Sequence, residues 1–175
     1  PHNLAPTAST TAALALGDAL AVALLDARGF GPDDFARSHP GGSLGRRLLT
    51  HVRDVMRSGD DVPTVGPLTG ISDAILAVSR GGVGLVGVVG DAGRVLGIFT
   101  DGDLRRAFEK HIDLQSARID SVMHANPRTI APDRLAVEAV EMMERYRINA
   151  LLVADADGRL LGALNMHDLF TARVI

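Results

Sequence analysis

The sequence predicts an α/β (α+β) fold: two β-α-β-β-α repeats packed face to face, preceded by a helical segment that belongs to neither. Two observations carry that prediction. Val95-Leu96-Gly97-Ile98-Phe99-Thr100-Asp101-Gly102-Asp103-Leu104 reappears as Leu160-Leu161-Gly162-Ala163-Leu164-Asn165-Met166-His167-Asp168-Leu169, an offset of 65 residues. Thr64 with Thr129 and Arg94 with Arg159 keep the same offset, while Val55-Met56 reappears as Val122-Met123 with a slip of two residues in a loop. A period this long, with glycines and carboxylates in phase, marks two copies of one folding unit. Two such units bury their apolar faces against each other, and a cleft between them is the expected place for function.

The first 48 residues stand outside the repeat. Thr7 to Arg28 reads as one helix, with Leu16, Leu20 and Leu24 at every fourth position and Gly29 as its stop. Val22 and Leu25 make other faces apolar too, so this helix expects burial on several sides. Gly31-Pro32-Asp33-Asp34 opens a short helix with Pro and acids in its first turn. Ser38 to Ser43 reads as a turn-rich loop and Leu44 to Leu49 as a short basic-apolar helix.

Each repeat then follows one plan. Val55-Met56 turns into the extended piece Val62 to Val65, whose Pro63 suits a sheet edge. Ile71 to Arg80 is a helix with Ile71, Ala74, Ile75 and Val78 on one face. Leu85 to Val89 is an unbroken apolar strand, and Asp91 to Arg94 turns it into the strand Val95 to Phe99 as a hairpin. Asp101 to Lys110 is the second helix. The second repeat runs in parallel: Thr129-Ile130, helix Leu135 to Arg145, strand Ala150 to Ala154, strand Leu160 to Leu164, helix His167 to Val174.

Bulk composition narrows the function. The 175 residues are 46% hydrophobic and 22% charged, with a formal net charge of −3, which gives no support for a general nucleic-acid binder. There is no cysteine, which excludes disulfides and thiolate chemistry. Six scattered histidines lack the paired spacing of a zinc site, so no metal and no required cofactor are expected. The apolar run Ala19 to Leu25, fenced by Asp18 and Asp26, is too short to span a bilayer, and a cytoplasmic protein is expected. The first residue is Pro rather than Met, so the chain is expected to be cut from something longer.

The chemistry gathers where the last strand of each repeat meets its helix. Thr100 ends a strand and Asp103 lies in the first turn that follows, so a hydroxyl, a carboxylate and a helix N-terminus converge. Such a place attracts phosphate, and its carboxylate suits ribose hydroxyls. The plainer reading of one copy alone is a helix cap. Two copies, beside the repeated pieces Pro63-Thr64 and Pro127-Arg128-Thr129, favour a ligand. The candidate binding residues are therefore Thr64, Thr100, Asp103, Arg105, Thr129, Asn165, His167 and Asp168. Arg105 and Arg106 read first as a solvated helix face, with phosphate pairing as the alternative. Met56 and Met123 read as core at the repeat junction.

The doubled unit with Gly97-Ile98-Phe99-Thr100-Asp101-Gly102-Asp103 resembles the cystathionine-β-synthase (CBS) domain pair, a regulatory module that binds nucleotides. The resemblance covers residues 50 to 175; Asn165 stands where the signature has Thr or Ser. Upstream, Pro6 to Thr11 and Phe35-Ala36-Arg37-Ser38-His39-Pro40-Gly41-Gly42-Ser43-Leu44-Gly45-Arg46 resemble the end of a sugar-isomerase (SIS) domain. The combination is similar to the D-arabinose 5-phosphate isomerase family, which interconverts ribulose 5-phosphate and arabinose 5-phosphate for the lipopolysaccharide sugar Kdo.

That resemblance implies a SIS remnant over 1–48 and CBS domains over 49–113 and 114–175. It implies a regulatory ligand, an adenine nucleotide or CMP-linked Kdo, and a homodimer of CBS pairs within a homotetrameric parent. His39 matches a family active-site histidine, although its residue context alone reads as an ordinary loop. The rest of the acid-base machinery would lie upstream, so this chain alone should not catalyse. The competing expectations are a CBS pair that only holds an oligomer together and a general adenine-nucleotide sensor.

Overall fold

The structure is a computed structural model that describes residues 6–31, 34, 35, 38 and 49–175. The chain divides into two compact units at Leu49/Thr50, each taken by itself below.

In the first unit, α1 spans Ala8–Ala27 and stops where Arg28 leads into Gly29 at φ +63°. None of its residues is buried, and Leu14, Leu16, Leu20, Val22 and Leu24 are each more than half exposed. The expectation concerned the seven-residue apolar run Ala19 to Leu25, and the helix that contains it is longer. The helix has 20 residues, and its most apolar 18-residue window has a mean hydropathy of 1.6, a length and composition that a membrane span and an apolar helix of a soluble protein share. Against a span, Asp18 stands near its middle, where a carboxylate costs about 2.5–3.5 kcal/mol in a spanning helix. Beyond it, the Gly31 amide donates to the Asp34 carboxylate at 3.0 Å. The expected loop around His39 and helix over 44–49 lie, apart from Ser38 and Leu49, outside the described residues.

The second unit opens with α2 (Val52–Val55) and β1 (Arg57–Ser58), followed by β2 (Thr64–Val65), α3 (Ile71–Gly81), β3 (Leu85–Val89), β4 (Val95–Thr100) and α4 (Asp101–Glu109). The plan then recurs as β5 (His124–Ala125), β6 (Thr129–Ile130), α5 (Ala136–Tyr146), β7 (Ala150–Ala154), β8 (Leu160–Asn165) and α6 (Met166–Thr171). The predicted β-α-β-β-α order is present twice. Of the extended piece Val62 to Val65 only Thr64–Val65 is strand, and it lies at a sheet edge, as Pro63 requires.

The sheets hold a feature the repeat did not announce. Their orders are β2-β3-β4-β5 and β6-β7-β8-β1, so each is completed by the short strand that leads into the other repeat. Arg57 pairs with Ala163, and His124 with Ile98. The exchange explains the slipped Val-Met pair and the in-phase glycines together. A Cβ on Gly97 would collide with the Met123 sulfur; one on Gly162 would lie 2.7 Å from the Met56 sulfur and 2.6 Å from the Arg57 carbonyl oxygen. Each methionine thus fills the space over a glycine of the opposite repeat, which confirms both as junction core.

Three apolar clusters follow. Ile71, Ala74, Val78, Val86, Val88 and Phe99 form the first repeat's own core, and Ala139, Met143, Leu151, Val153, Leu164 and Leu169 the second's. Between them Val62, Val83, Leu85 and Ile98 meet Leu152 and Ala163, the expected face-to-face packing. The last helix departs from expectation. It ends at Thr171, not Val174: Arg173 turns at φ +56°, the Val174 amide donates to the Leu169 carbonyl at 3.0 Å, and Val174 returns to the core at 1% exposure. Burial of one valine, worth about 1.5–3 kcal/mol, outweighs another helical turn.

Candidate ligand-binding cleft

At the first strand-helix junction β4 ends on Thr100 and α4 begins at once. The Thr100 amide and hydroxyl both donate to one Asp103 carboxylate oxygen, at 2.9 and 2.7 Å, and the Arg106 guanidinium donates to the other. Asp103 is 6% exposed, the one buried charged residue among those described. The convergence expected from sequence is real, and in this structure its members bond one another as a helix cap. Arg105, the arginine proposed from sequence, is 76% exposed and faces Glu109 at 3.9 Å. Its neighbour Arg106 is the one that reaches the carboxylate.

The second junction keeps the cap with different chemistry. The Asn165 amide donates to Asp168 at 3.0 Å, the Asp168 amide donates back to the Asn165 side chain at 2.9 Å, and Asn165 Nδ2 donates to the Val83 carbonyl at 3.2 Å. Here the arginine comes from the other repeat. Arg57 Nε and Nη2 donate to Asp168 at 3.0–3.3 Å, while Nη1 donates to the Gly81 carbonyl at 3.0 Å. The start of α6 is thereby pinned to the end of α3 across the repeat boundary. His167 points to solvent. Arg57 escaped the sequence reading. Its signal was that it follows Met56 as His124 follows Met123, which fixes its place and says nothing of its partner.

Arg57 also lines a cleft of about 720 Å³ together with Asp60, Asp61, Pro63, Thr64 and Arg80. Thr64 and the Asn165/Asp168 cap, one from each repeat, are thus joined through Arg57. A smaller cleft of about 550 Å³ holds Thr129 with Arg134, Glu138, Arg145 and Tyr146. The two share positions at the repeat offset: Thr64 with Thr129, Arg80 with Arg145, Gly81 with Tyr146. Their chemistry diverges. Pro63 packs on bare Gly81, whereas its counterpart Arg128 stacks 3.6 Å from the Tyr146 ring centre and Arg134 pairs with Glu138. The second cleft is largely self-satisfied. In the first, the Thr64 hydroxyl and the Arg80 guanidinium have no bonded partner among the described residues. Thr100, Asp103 and Arg105 line neither cleft, so the expected set falls in three places, and His39 lies outside the described residues.

The sequence profile described as CBS domain matches residues 52–110 and 119–175. Arabinose 5-phosphate isomerase of Pseudomonas aeruginosa is 53% identical over 175 residues, covering 100% of this chain and 54% of that protein. The chain therefore spans about half the length of the curated relatives it matches. Among solved structures, a CBS-domain protein of Agrobacterium tumefaciens is similar with a TM-score of 0.62 and 30% identity, over 71% of this chain and 93% of that one. The plant CBS-pair protein CBSX2 in complex with AMP gives a TM-score of 0.61 at 22% identity, over 70% and 95%, a likeness of fold alone.

Proposed function

The chain belongs to the CBS-domain family, and from that premise we propose that it is the regulatory, nucleotide-binding part of an arabinose 5-phosphate isomerase. One observation carries the reading: the 53% identity runs through all 175 residues, including the first 49, which lie outside both CBS matches. On this reading residues 1–48 are the end of a SIS sugar-isomerase domain, and 49–113 and 114–175 are the two CBS domains. The remainder of the catalytic domain belongs to the longer protein, which interconverts ribulose 5-phosphate and arabinose 5-phosphate in the cytoplasm on the route to Kdo.

Aldose-ketose isomerisation moves a proton between neighbouring carbons and requires a positioned acid and base. His39 supplies one such group to the longer protein's active site. Replacing it there with alanine lowers turnover by about 10²–10⁴, while the present chain alone forms no arabinose 5-phosphate. Normal turnover of the His39→Ala protein would return His39 to an ordinary loop residue.

The regulatory ligand is a nucleotide or nucleotide-sugar, an adenine nucleotide or CMP-linked Kdo, held where the repeats meet. Support comes from the first cleft, which pairs an unpartnered hydroxyl and cation with a cap of the opposite repeat. The exposed leucines of α1 favour association as well, as a homodimer of CBS pairs within a tetrameric parent. Titration calorimetry against AMP, ATP and CMP-linked Kdo tests the reading. Saturable heat with any of them supports it, and no heat with all three leaves a module that only holds the oligomer together.

A further inference from the structure

We propose that Asp157-Gly158 is a site of isoaspartate formation, and that the altered turn is a substrate for a carboxyl methyltransferase specific for isoaspartyl residues.

Two Asp-Gly pairs occur in the sequence, Asp101-Gly102 and Asp157-Gly158. Glycine favours the reaction because no side chain shields its amide nitrogen and its backbone turns freely. The fold separates the two pairs. Asp101 and Gly102 are the first residues of α4, where helical dihedrals hold each amide away from the side chain before it. Asp157 is exposed in the turn between β7 and β8, and its carboxylate has no bonded partner among the described residues. Gly158 follows it at φ +77°.

The turn is held by another carboxylate. Asp155 accepts the Asp157 and Arg159 amides at 2.9 and 2.8 Å, and its carbonyl accepts the Gly158 amide at 3.0 Å. Only the last of these must open to free the Gly158 nitrogen, and an exposed turn opens locally at little cost. The nitrogen then attacks Asp157 Cγ. A C–N bond forms, the amide proton and the carboxyl hydroxyl leave as water, and a succinimide ring closes. Water returning at the Asp157 backbone carbonyl breaks its bond to the Gly158 nitrogen. The chain now runs through Cβ and Cγ, and the α-carboxylate is free. The water lost is regained, so the step needs no co-reactant and leaves the mass unchanged.

The position gives this change a consequence. The Gly158 carbonyl accepts the Val95 amide at 2.9 Å, and Arg159 pairs with Arg94 in an antiparallel bridge. Arg94 and Arg159 are counterparts at the repeat offset, and a residue meets its own counterpart only on the axis that relates the repeats. An extra methylene in the main chain beside Gly158 displaces the carbonyl that Val95 uses. The first repeat is spared. Its turn has Ala92 where Asp157 stands, and Asp91 is followed by Ala92, whose methyl group hinders the nitrogen.

The test ages the whole chain at physiological temperature and neutral pH. Labelled methyl groups are then transferred from S-adenosylmethionine by an isoaspartyl methyltransferase, and the labelled peptides are mapped. The peptide with Asp157 should carry label and the peptide with Asp101 none. Label should be lost in the Asp157→Glu protein, whose longer side chain closes the ring poorly. A chain aged in guanidinium chloride should label both peptides, which makes the fold and not the dipeptide responsible for the choice. In the modified protein the Val95 amide should exchange with solvent about fivefold faster, the scale of one lost hydrogen bond. No label at Asp157 in the folded chain, or equal label at Asp101, overturns the proposal. Unchanged Val95 exchange in the modified protein overturns its link to the repeat junction.

Discussion

Gly97 and Gly162 occupy the same place in their repeats, but the atoms above them differ in how far they can yield. Over Gly97 the first obstacle is the end of the Met123 side chain, which rotates aside. Over Gly162 the Arg57 carbonyl oxygen, a backbone atom, stands 2.6 Å from where a Cβ would be. Overpacking a well-filled site costs about 1–3 kcal/mol, and the two glycines should fall at opposite ends of that range. Urea unfolding should place Gly97→Ala about 1 kcal/mol and Gly162→Ala about 3 kcal/mol below the parent. Equal losses would mean that the exchanged strand at Gly162 moves as easily as a side chain. Residue chemistry of this kind was half legible in the sequence. Thr100, Asp103, Asn165 and Asp168 could be found because they recur in phase, and their local capping follows from spacing alone. Arg57 could not, because its partner lies 111 positions away and only the fold brings the two within 3.0 Å.

At the scale of elements, the amphipathic and apolar runs carried the reading. The face Ile71, Ala74, Val78 is buried as its spacing requires, and β3 is apolar throughout because sheet and helix cover both its sides. The end of α6 was misread for a physical reason. Apolar Val174 looks like one more helical position, whereas a left-handed turn at Arg173 brings it to the core by another path. Val174→Ala should therefore cost about 2 kcal/mol, two methyl groups and part of a cavity, in a residue second from the end. A loss below about 0.5 kcal/mol, as for a surface residue, would show that the terminus is not docked. The two-residue strands β1 and β5 were not legible at all, since so short a segment has no periodicity and exists only through its partner in the other repeat.

The exchange of β1 and β5 has its consequence for the whole module. Neither repeat can complete its sheet or cover its glycine alone, and a third cluster is shared between them. Residues 50–175 should unfold in one cooperative transition, coincident by far-ultraviolet circular dichroism and by hydrogen exchange. Two separated transitions would mean that the repeats are independent domains and that the first cleft is not held rigidly. A ligand at the repeat junction acts only through its preference among states of the protein, and a cooperative module passes that preference on as one unit. The central claim is that this ligand controls an isomerase, and the direct measurement is arabinose 5-phosphate formation from ribulose 5-phosphate by the longer protein. Turnover should change on saturation with AMP or CMP-linked Kdo. Identical turnover with and without both ligands, in a protein to which either is seen to bind, would contradict the account.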